Sequence, residues 1–443
     1  MLIHLLRPLF AITRRGLWLA LAIAVLISGP AWSQEYTVTD LGTLGGVTSA
    51  AVAVNNAGQV VGTANVAGDG HSDPFLYSAK KMTDVWTGGT EFGGITVALN
   101  NSGHFVVNYN LDAQGHTESF INNGVIWADL GIGGAAGMNA NDTVVGNGPN
   151  GYWVYSNGYL NTTPSYSIPG GGKALAYSIN EAGAIAGECP KADPYYGGQN
   201  GCVFGPDGST VLLNANLGEL DPFPPYAISS SGETCGMNGI QQFGVWSDTG
   251  AETYAATVGY LAQCAGLDSY GDAVGYGTYG HVGEVLHGYI YDPVNKLRDM
   301  NGLISHLSVR GHGVTINFAV SIADTGYIAA DCTFEEGLNN FRSHACLLTP
   351  NWSAILHDNI VAQAQGDPEC IQCKAELEPE AKSLPSSFTG LSTEEKKKAL
   401  ATVEKIDSQL SAIKDGDRIS EQAYITLMHD TDMALRALGY VQK

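Results

Sequence analysis

Residues Val54 to Gly62 read VNNAGQVVG, and variants of this nonapeptide recur six more times. LNNSGHFVV begins at Leu99, MNANDTVVG at Met138, INEAGAIAG at Ile179, ISSSGETCG at Ile228, LDSYGDAVG at Leu267 and IADTGYIAA at Ile322. Each copy is an apolar residue, a four-residue polar turn that usually ends in Gly, and a short apolar run. That is the pattern of a β-hairpin, with Gly or Asn supplying the positive φ of a tight turn.

Two further strands surround each hairpin. In the first repeat SAAVAVN and QVVGTA flank the turn, and FLYS and MTDV follow. The small and apolar residues alternate with the period of two expected of half-buried strands. The aligned turn positions 55, 100, 139, 180, 229, 268 and 323 lie 45, 39, 41, 49, 39 and 55 residues apart. Four short strands at such a period predict an all-β fold, a seven-bladed β-propeller of four-stranded antiparallel blades. A β-solenoid is the main rival, but its rungs are usually shorter and lack a repeated antiparallel hairpin. One strand is left over. Tyr36–Leu41 and Trp352–His357 both fit the outer strand of the last blade. Ring closure by strand exchange predicts that Tyr36–Leu41 joins the sheet of Ala345–Leu348.

The stretch DLGTLGGVTSAAVAVNNAGQVVG, Asp40 to Gly62, resembles the bacterial extracellular repeat family named for its His-Ala-Phe motif, and the likeness covers roughly Tyr36 to Trp352. The naming motif is closest at His287-Gly288-Tyr289 and His344-Ala345-Cys346; elsewhere its first position is Asp73, Glu118, Gly151, Asn200 or Gln242. The resemblance implies a secreted repeat protein and brings no established reaction with it. The scatter at the His position argues against a ring of metal-binding histidines.

Residues 1–33 have the form of an export signal. Arg7, Arg14 and Arg15 precede the apolar run Leu17–Ser28, and Ala31-Trp32-Ser33 offers a small-x-small cleavage site. The apolar run is too short for a comfortable membrane span, which leaves no span once the signal is cleaved. Cleavage takes three of the 21 Lys and Arg and none of the 43 Asp and Glu, leaving a net charge of −25. Such a surface repels nucleic acid and anionic lipid. Cations, neutral sugars and basic partners remain, so an extracellular glycan or protein is the expected ligand class.

All eight cysteines follow residue 33, as an oxidising compartment allows. Cys189 and Cys332 occupy one register position in their repeats, and Cys202 and Cys346 another. Neighbouring antiparallel strands bring such positions within disulfide reach. The register therefore pairs Cys189 with Cys202 and Cys332 with Cys346, and elimination pairs Cys235 with Cys264. Cys370-Ile371-Gln372-Cys373 reads as a structural disulfide, since no strand precedes it as in a redox CxxC and no His follows it as in haem attachment.

The domain plan is residues 34–357 for the propeller, 358–390 for a linker holding the CxxC, and 391–443 for a helical hairpin. Ser392 and Glu395 form a capping box, and two apolar stripes follow, one on Leu400, Val403, Ile406, Leu410 and Ile413. Two such helices are marginal alone, so they should dock on the propeller, a second copy or a partner.

Chemistry is sparse. Asp248-Thr249-Gly250 and Asp324-Thr325-Gly326 echo aspartic-protease loops, but they fall on different turns of different repeats and read as turn residues. Residues 415–420 miss the acidic positions of a calcium loop. No cofactor motif and no metal-ligand spacing is present, and no catalytic residues are assigned. The long connections between second and third strands should gather on one face. They carry Asp69, His71, His116, Tyr195, Tyr196, Tyr279, His281, Phe334 and Arg342, aromatic and polar side chains suited to sugar or peptide recognition. The sequence thus points to a secreted, non-enzymatic binding protein. A polysaccharide-active hydrolase or lyase and a structural matrix component are the alternatives, because propellers host all three.

Overall fold

The computed structural model describes residues 34–440 apart from 69–70, 87–93, 111–116, 163–171, 191–198, 214–224, 260, 280–284, 305–312 and 336–339. The export signal read in residues 1–33 lies outside the described residues. From residue 35 to 350 the chain builds seven four-stranded antiparallel sheets. The inner strands are Gly45–Val54, Gly94–Leu99, Gly134–Met138, Leu175–Ile179, Pro225–Ile228, Ala262–Leu267 and Val314–Ile322. Each runs into its hairpin turn and returns as the second strand, as the repeat requires. In the first turn Asn55 N–H donates to Gln59 O and Gly58 N–H to Asn55 O, with Gly58 at φ 69°. In the third repeat, where the turn lacks Gly, Asp142 takes the positive φ of 56°.

The Gly that closes the motif has a different task. A Cβ on Gly62 would meet Ala50 O at 2.1 Å, and on Gly187 or Gly275 the inner-strand carbonyl at 1.9 Å. The inner strand bulges across this point, and only a residue without a side chain lets it pass.

The turn Asn holds neighbouring blades together. Its amide N–H donates to the backbone carbonyl of the equivalent residue one blade on: Asn55 to Asn100 O at 3.0 Å, Asn100 to Asn139 O at 3.3 Å, Asn139 to Asn180 O at 3.1 Å, and Asn180 to Ser229 O at 2.9 Å. Meanwhile the Asn oxygen accepts from its own turn, as in Gln59 N–H to Asn55 Oδ1 at 3.0 Å. The four asparagines are buried, so each bond replaces one that water can no longer supply.

A second tie runs from the second strand of one blade to the inner strand of the next. Asn108 donates to Ala135 O and accepts from Ala135 N–H, both at 2.9 Å, and Asn147 does the same with Ala176 at 2.8 Å. Where blade 7 meets blade 1 the equivalent residue is Asp331, which accepts from Ala51 N–H at 2.7 Å but has no amide to return. Burial drives its carboxyl up, to about 6, against the hydrogen bond from Ala51. The folded state therefore binds this proton more tightly than the unfolded chain does. Stability from this residue is present at pH 4 and is lost as pH rises towards 6. Asp331→Asn should restore the two-way tie. Urea denaturation should show it about 1–3 kcal/mol more stable than the parent at pH 7.5 and nearly equal at pH 3.5. A variant less stable at pH 7.5 would contradict this.

The ring closes as the surplus strand predicts. Tyr36–Asp40 pairs antiparallel with Phe341–Pro350, in register Val38 with Leu348 and Asp40 with Cys346. Trp352–His357, the competing candidate, is helical. Tyr36–Asp40 already fills the fourth-strand position, and Asn351 caps a helix instead by accepting from Ala354 N–H. The position that resembles the start of a His-Ala-Phe motif is a clamp between third and outer strands. His287 Nδ1 lies 2.7 Å from Asp299 Oδ2, and His344 Nδ1 lies 2.9 Å from Asp40 Oδ1. Glu118 makes the corresponding hydrogen bond to Asp129 in blade 2.

The disulfides are Cys189–Cys202, Cys332–Cys346, Cys235–Cys264 and Cys370–Cys373. The first two each staple one blade, and the third joins blade 5 to blade 6.

The segment read as a linker, residues 358–390, is a correction. It holds the end of α1 (Trp352–Gly366) and all of α2 (Ile371–Ser383), followed by α3 (Thr393–Asp415) and α4 (Glu421–Ala437). Its Pro, Glu and Gln suggest a solvated connector, but Ala, Leu and Glu at helical spacing dominate between them, and Pro368 falls before α2. The CxxC opens α2 with both cysteines fully buried, beside Leu377 and Ala381. The four helices share one apolar core, from Trp352 through Leu377, Val403 and Ile406 to Leu435, with Tyr270 of blade 6 against it. The tail is therefore a four-helix unit docked on the propeller rather than a hairpin. Among the described residues no helix is long and apolar enough to cross a membrane.

Candidate ligand site in the central channel

The inner strands enclose a channel of about 490 Å³. One position lines it in every blade, three residues before the turn Asn or its equivalent, where each inner strand bulges: Val52, Val97, Ala136, Tyr177, Tyr226, Ala265 and Val320. The bulge leaves that residue without a cross-strand partner and turns it inward. Five blades supply Val or Ala. Blades 4 and 5 supply tyrosines whose rings meet edge to face, with centroids 5.7 Å apart and planes at 65°.

The Tyr177 hydroxyl donates to Glu188, and burial pushes both groups up, as it does Tyr226. Outside the channel lining, the Tyr276 hydroxyl donates to Gln263 Oε1 at 3.0 Å and its ring meets Phe318 edge-on at 4.9 Å. The channel is thus two-sided, aromatic over blades 4 and 5 and aliphatic over the other five.

The mouth on the hairpin face is ringed by the residue after the turn Asn: Asn56, Asn101, Ala140, Glu181, Ser230, Ser269 and Asp324. Its acids have structural partners. Glu181 accepts from Ala140 N–H at 2.9 Å, and Asp324 from Ser269 N–H at 2.9 Å. Asp268, just below, accepts from Tyr270 and Asp272 N–H. Two carboxylates free to face one reacting atom, as glycoside hydrolysis needs, are not assembled by these described residues.

The helical unit stands at one side of this mouth, over blades 6, 7 and 1. The Arg436 guanidinium lies 3.4 Å from the Tyr270 ring centroid, His429 Nε2 lies 3.0 Å from Asp272 Oδ1, and Tyr327 meets Thr389 hydroxyl to hydroxyl. A groove of about 180 Å³ between Asn56, Thr325, Phe388 and Gly390 leads from the mouth under the helices.

Four of the loop residues proposed from sequence are described. His71, Tyr279, Phe334 and Arg342 belong to blades 1, 6, 7 and 7. His71 lies beside Asp73 at 3.4 Å, Tyr279 stacks on His287 at 4.3 Å, and Phe334 pairs across strands with Arg342. Asp69, His116, Tyr195, Tyr196 and His281 lie outside the described residues. Sequence reasoning missed Tyr177 and Tyr226. Aligning the repeats on the turn Asn and reading three residues upstream would have shown two tyrosines in a column otherwise of Val and Ala.

No protein-family model matches the sequence, and no curated protein does. Solved structures similar to it are propellers. The chain is 9% identical to U3-55K, covering 71% of this chain and 98% of that one, with a TM-score of 0.44. It is 9% identical to the β-propeller domain of the Trilobed protease from Pyrococcus furiosus, over 67% and 97%, with a TM-score of 0.38. A gluconolactonase from Xanthomonas campestris is 12% identical over 73% and 93%, with a TM-score of 0.34.

Proposed function

We propose that the chain is an exported, non-enzymatic binding protein of the His-Ala-Phe repeat family, and that its ligand sits in the central channel. The carrying observation is the two-sided wall. Seven equivalent positions face one cavity, and two adjacent ones depart from small aliphatic residues to present tyrosines. Aromatic rings and polar groups over an otherwise smooth apolar wall suit orientation of a small ligand or the end of a glycan or peptide. Export is supported by four disulfides within the described residues and by the leader-like first 33 residues. The third-to-outer-strand clamp gives the family's His a structural role, which fits the freedom to replace it by Glu118.

The test is a screen of the purified protein, cleaved after Ser33, against arrayed glycans, peptides and small amines, with each bound ligand recovered and weighed by mass spectrometry. Binding with the ligand recovered unchanged is expected. Conversion of a bound ligand would overturn the non-enzymatic reading, and secreted material that still begins before Gln34 would overturn the cleavage.

A further inference from the structure

Blade 7 meets both of its neighbours through acids where earlier blades use asparagine. In blades 1–3 the turn Asn oxygen accepts from the second and fourth N–H onward, as Asn139 Oδ1 does from Asn141 and Thr143 at 3.0 and 3.2 Å, and its amide donates to the next blade. Asp268 holds that position in blade 6. Its Oδ1 accepts from the N–H of Tyr270 at 2.8 Å and of Asp272 at 2.9 Å, so the carboxyl is oriented as the asparagines are, with Oδ2 in the place of the amide. The backbones at the two seams match as well. A Cβ on Gly137 would lie 2.9 Å from Ser178 Cα of blade 4, and one on Gly266, the same position in blade 6, 2.9 Å from Ser321 Cα of blade 7. Just past the turn Asn, Ala140 N–H donates to Glu181 and its counterpart Ser269 N–H to Asp324, both at 2.9 Å. These matches set Asp268 Oδ2 against the Ala323 carbonyl, as Asn139 Nδ2 is set against that of Asn180 at 3.1 Å.

Two acceptor oxygens cannot bond each other. Asp268 is 3% exposed, and its Oδ2 is buried without a hydrogen-bond partner, a costly state for a charged oxygen. A proton on Oδ2 removes the conflict, because a neutral carboxyl donates where the asparagine amide would. The surroundings favour that proton. Burial raises Asp268 well above the usual carboxylate range, and the charges of Asp272 on its own hairpin and Asp324 on blade 7 add to this. The Asp272 N–H and His429 on α4 oppose it, and Arg436 on α4 also feels the Asp268 charge. Among the described residues no three acids, histidines or cysteines are grouped to hold a metal ion instead. The far seam of blade 7 repeats the substitution. Asp331 stands where Asn108 and Asn147 return a bond to the next blade's carbonyl, and burial lifts it to about 6 against the hydrogen bond from Ala51. Thr325 also ties that seam, donating to Asn56 O at 3.2 Å, and does not titrate.

We propose that blade 7 is the pH-sensitive blade of the ring: neutral carboxyls on Asp268 and Asp331 hold it to blades 6 and 1 in acid, and their ionisation loosens both seams as pH rises. An opened seam exposes ordinary carboxyls, which ionise near ~3.9, so the closed ring binds these protons more tightly. Opening then becomes about tenfold more frequent for each pH unit between that value and the closed-state one. Hydrogen–deuterium exchange of the full mature chain, parent against Asp268→Asn/Asp331→Asn, reads this at one pH at a time, so that intrinsic exchange rates cancel. At pH 8 the inner-strand amides of Val314–Ile322 should exchange at least about tenfold faster in the parent than in the double variant, and at pH 4 equally. Leu175–Ile179 of blade 4 should show no difference at either pH. Asp268→Asn alone should melt higher than the parent at pH 8 and together with it at pH 4. A single variant that melts lower at pH 8 or fails to fold, or a double variant with parent-like exchange in blade 7, would overturn the proposal. So would a parent that EDTA destabilises beside an Asp268→Asn variant that it does not, which would put a metal ion rather than a proton on Asp268.

Discussion

Deleting Tyr36–Leu41 is expected to destabilise the propeller by about 5 kcal/mol or more, far beyond the effect of shortening the 163–171 connection by six residues. Tyr36 and Leu41 are each 6% exposed, in two different cores, so the deletion opens both. Tyr36 packs with Met300, Ile304 and Leu348, and full burial of such a side chain contributes roughly 1.5–3 kcal/mol. The backbone loses its pairing to Phe341–Pro350, and His344 loses Asp40. With the strand gone, the last blade presents an unpaired edge, and nothing ties the first blade to the last through the chain's start. Thermal or urea unfolding of the two deletions, side by side, checks this; equal losses would mean that the ring is held closed by the inner strands alone.

The second large effect lies at the seam between propeller and helices. His429→Ala should cost about 3 kcal/mol or more, because it leaves a buried acidic cluster without its cation. Burial works against a charged His429, but Asp272 beside it outweighs that and lifts its pKa to about 10. Burial also raises Asp272 and, to about 7, Asp430, with His429 pulling each back down. The acids that act on the imidazole are Asp272 and Asp268 from blade 6, Asp292 from its outer hairpin, and Asp430 and Asp432 on α4; the nearby cation is Arg298 of the outer hairpin, which acts on Asp272 and Asp430. Arg298 is already committed, donating to Glu35 at 3.0 Å and to Asp292 at 3.1 Å. A His whose folded pKa is raised contributes its full stability below the unfolded value near 6.5 and loses it as pH rises through 10. The gap between parent and His429→Ala should therefore narrow between about pH 7 and 10. A gap that is small at pH 6, or that widens with pH, would show that the seam does not depend on this cation.

Much of this fold is legible in the sequence, because a repeat states its own register. Seven turns at a steady spacing give the blade count, and two cysteine pairs at matched positions give two bonds. The surplus strand gives the closure. Other features depend on neighbours that a linear reading does not place. The turn Asn looks like turn chemistry, which it is; its second bond crosses to the next blade and emerges only when the blades stand side by side. WSAILH fits a strand or a helix equally well, and the choice was made elsewhere, by Tyr36–Asp40 filling the outer edge. Asp358 to Gly390 shows Pro and Glu, which suggest a solvated linker, yet Leu377 and Ala381 are fully buried because α1 and α3 cover their helix. The site was sought in long loops, where binding residues often lie. The structure places the two-sided wall on regular strands, at a bulge that sequence pattern alone does not reveal.

On the proposed function the channel, rather than the loop face, holds the ligand. Ala136 lines the aliphatic side of the channel on the bulge of blade 3 and takes no part in the Asn ties, so Ala136→Trp should fill the cavity without touching the blade contacts. For whichever ligand the parent binds in the screen, the decisive measurement is its affinity for the Ala136→Trp variant, with melting temperature as the folding control. The predicted result is loss of binding at an unchanged melting temperature. Parent-like affinity in the folded variant would contradict the claim and return the site to the loops.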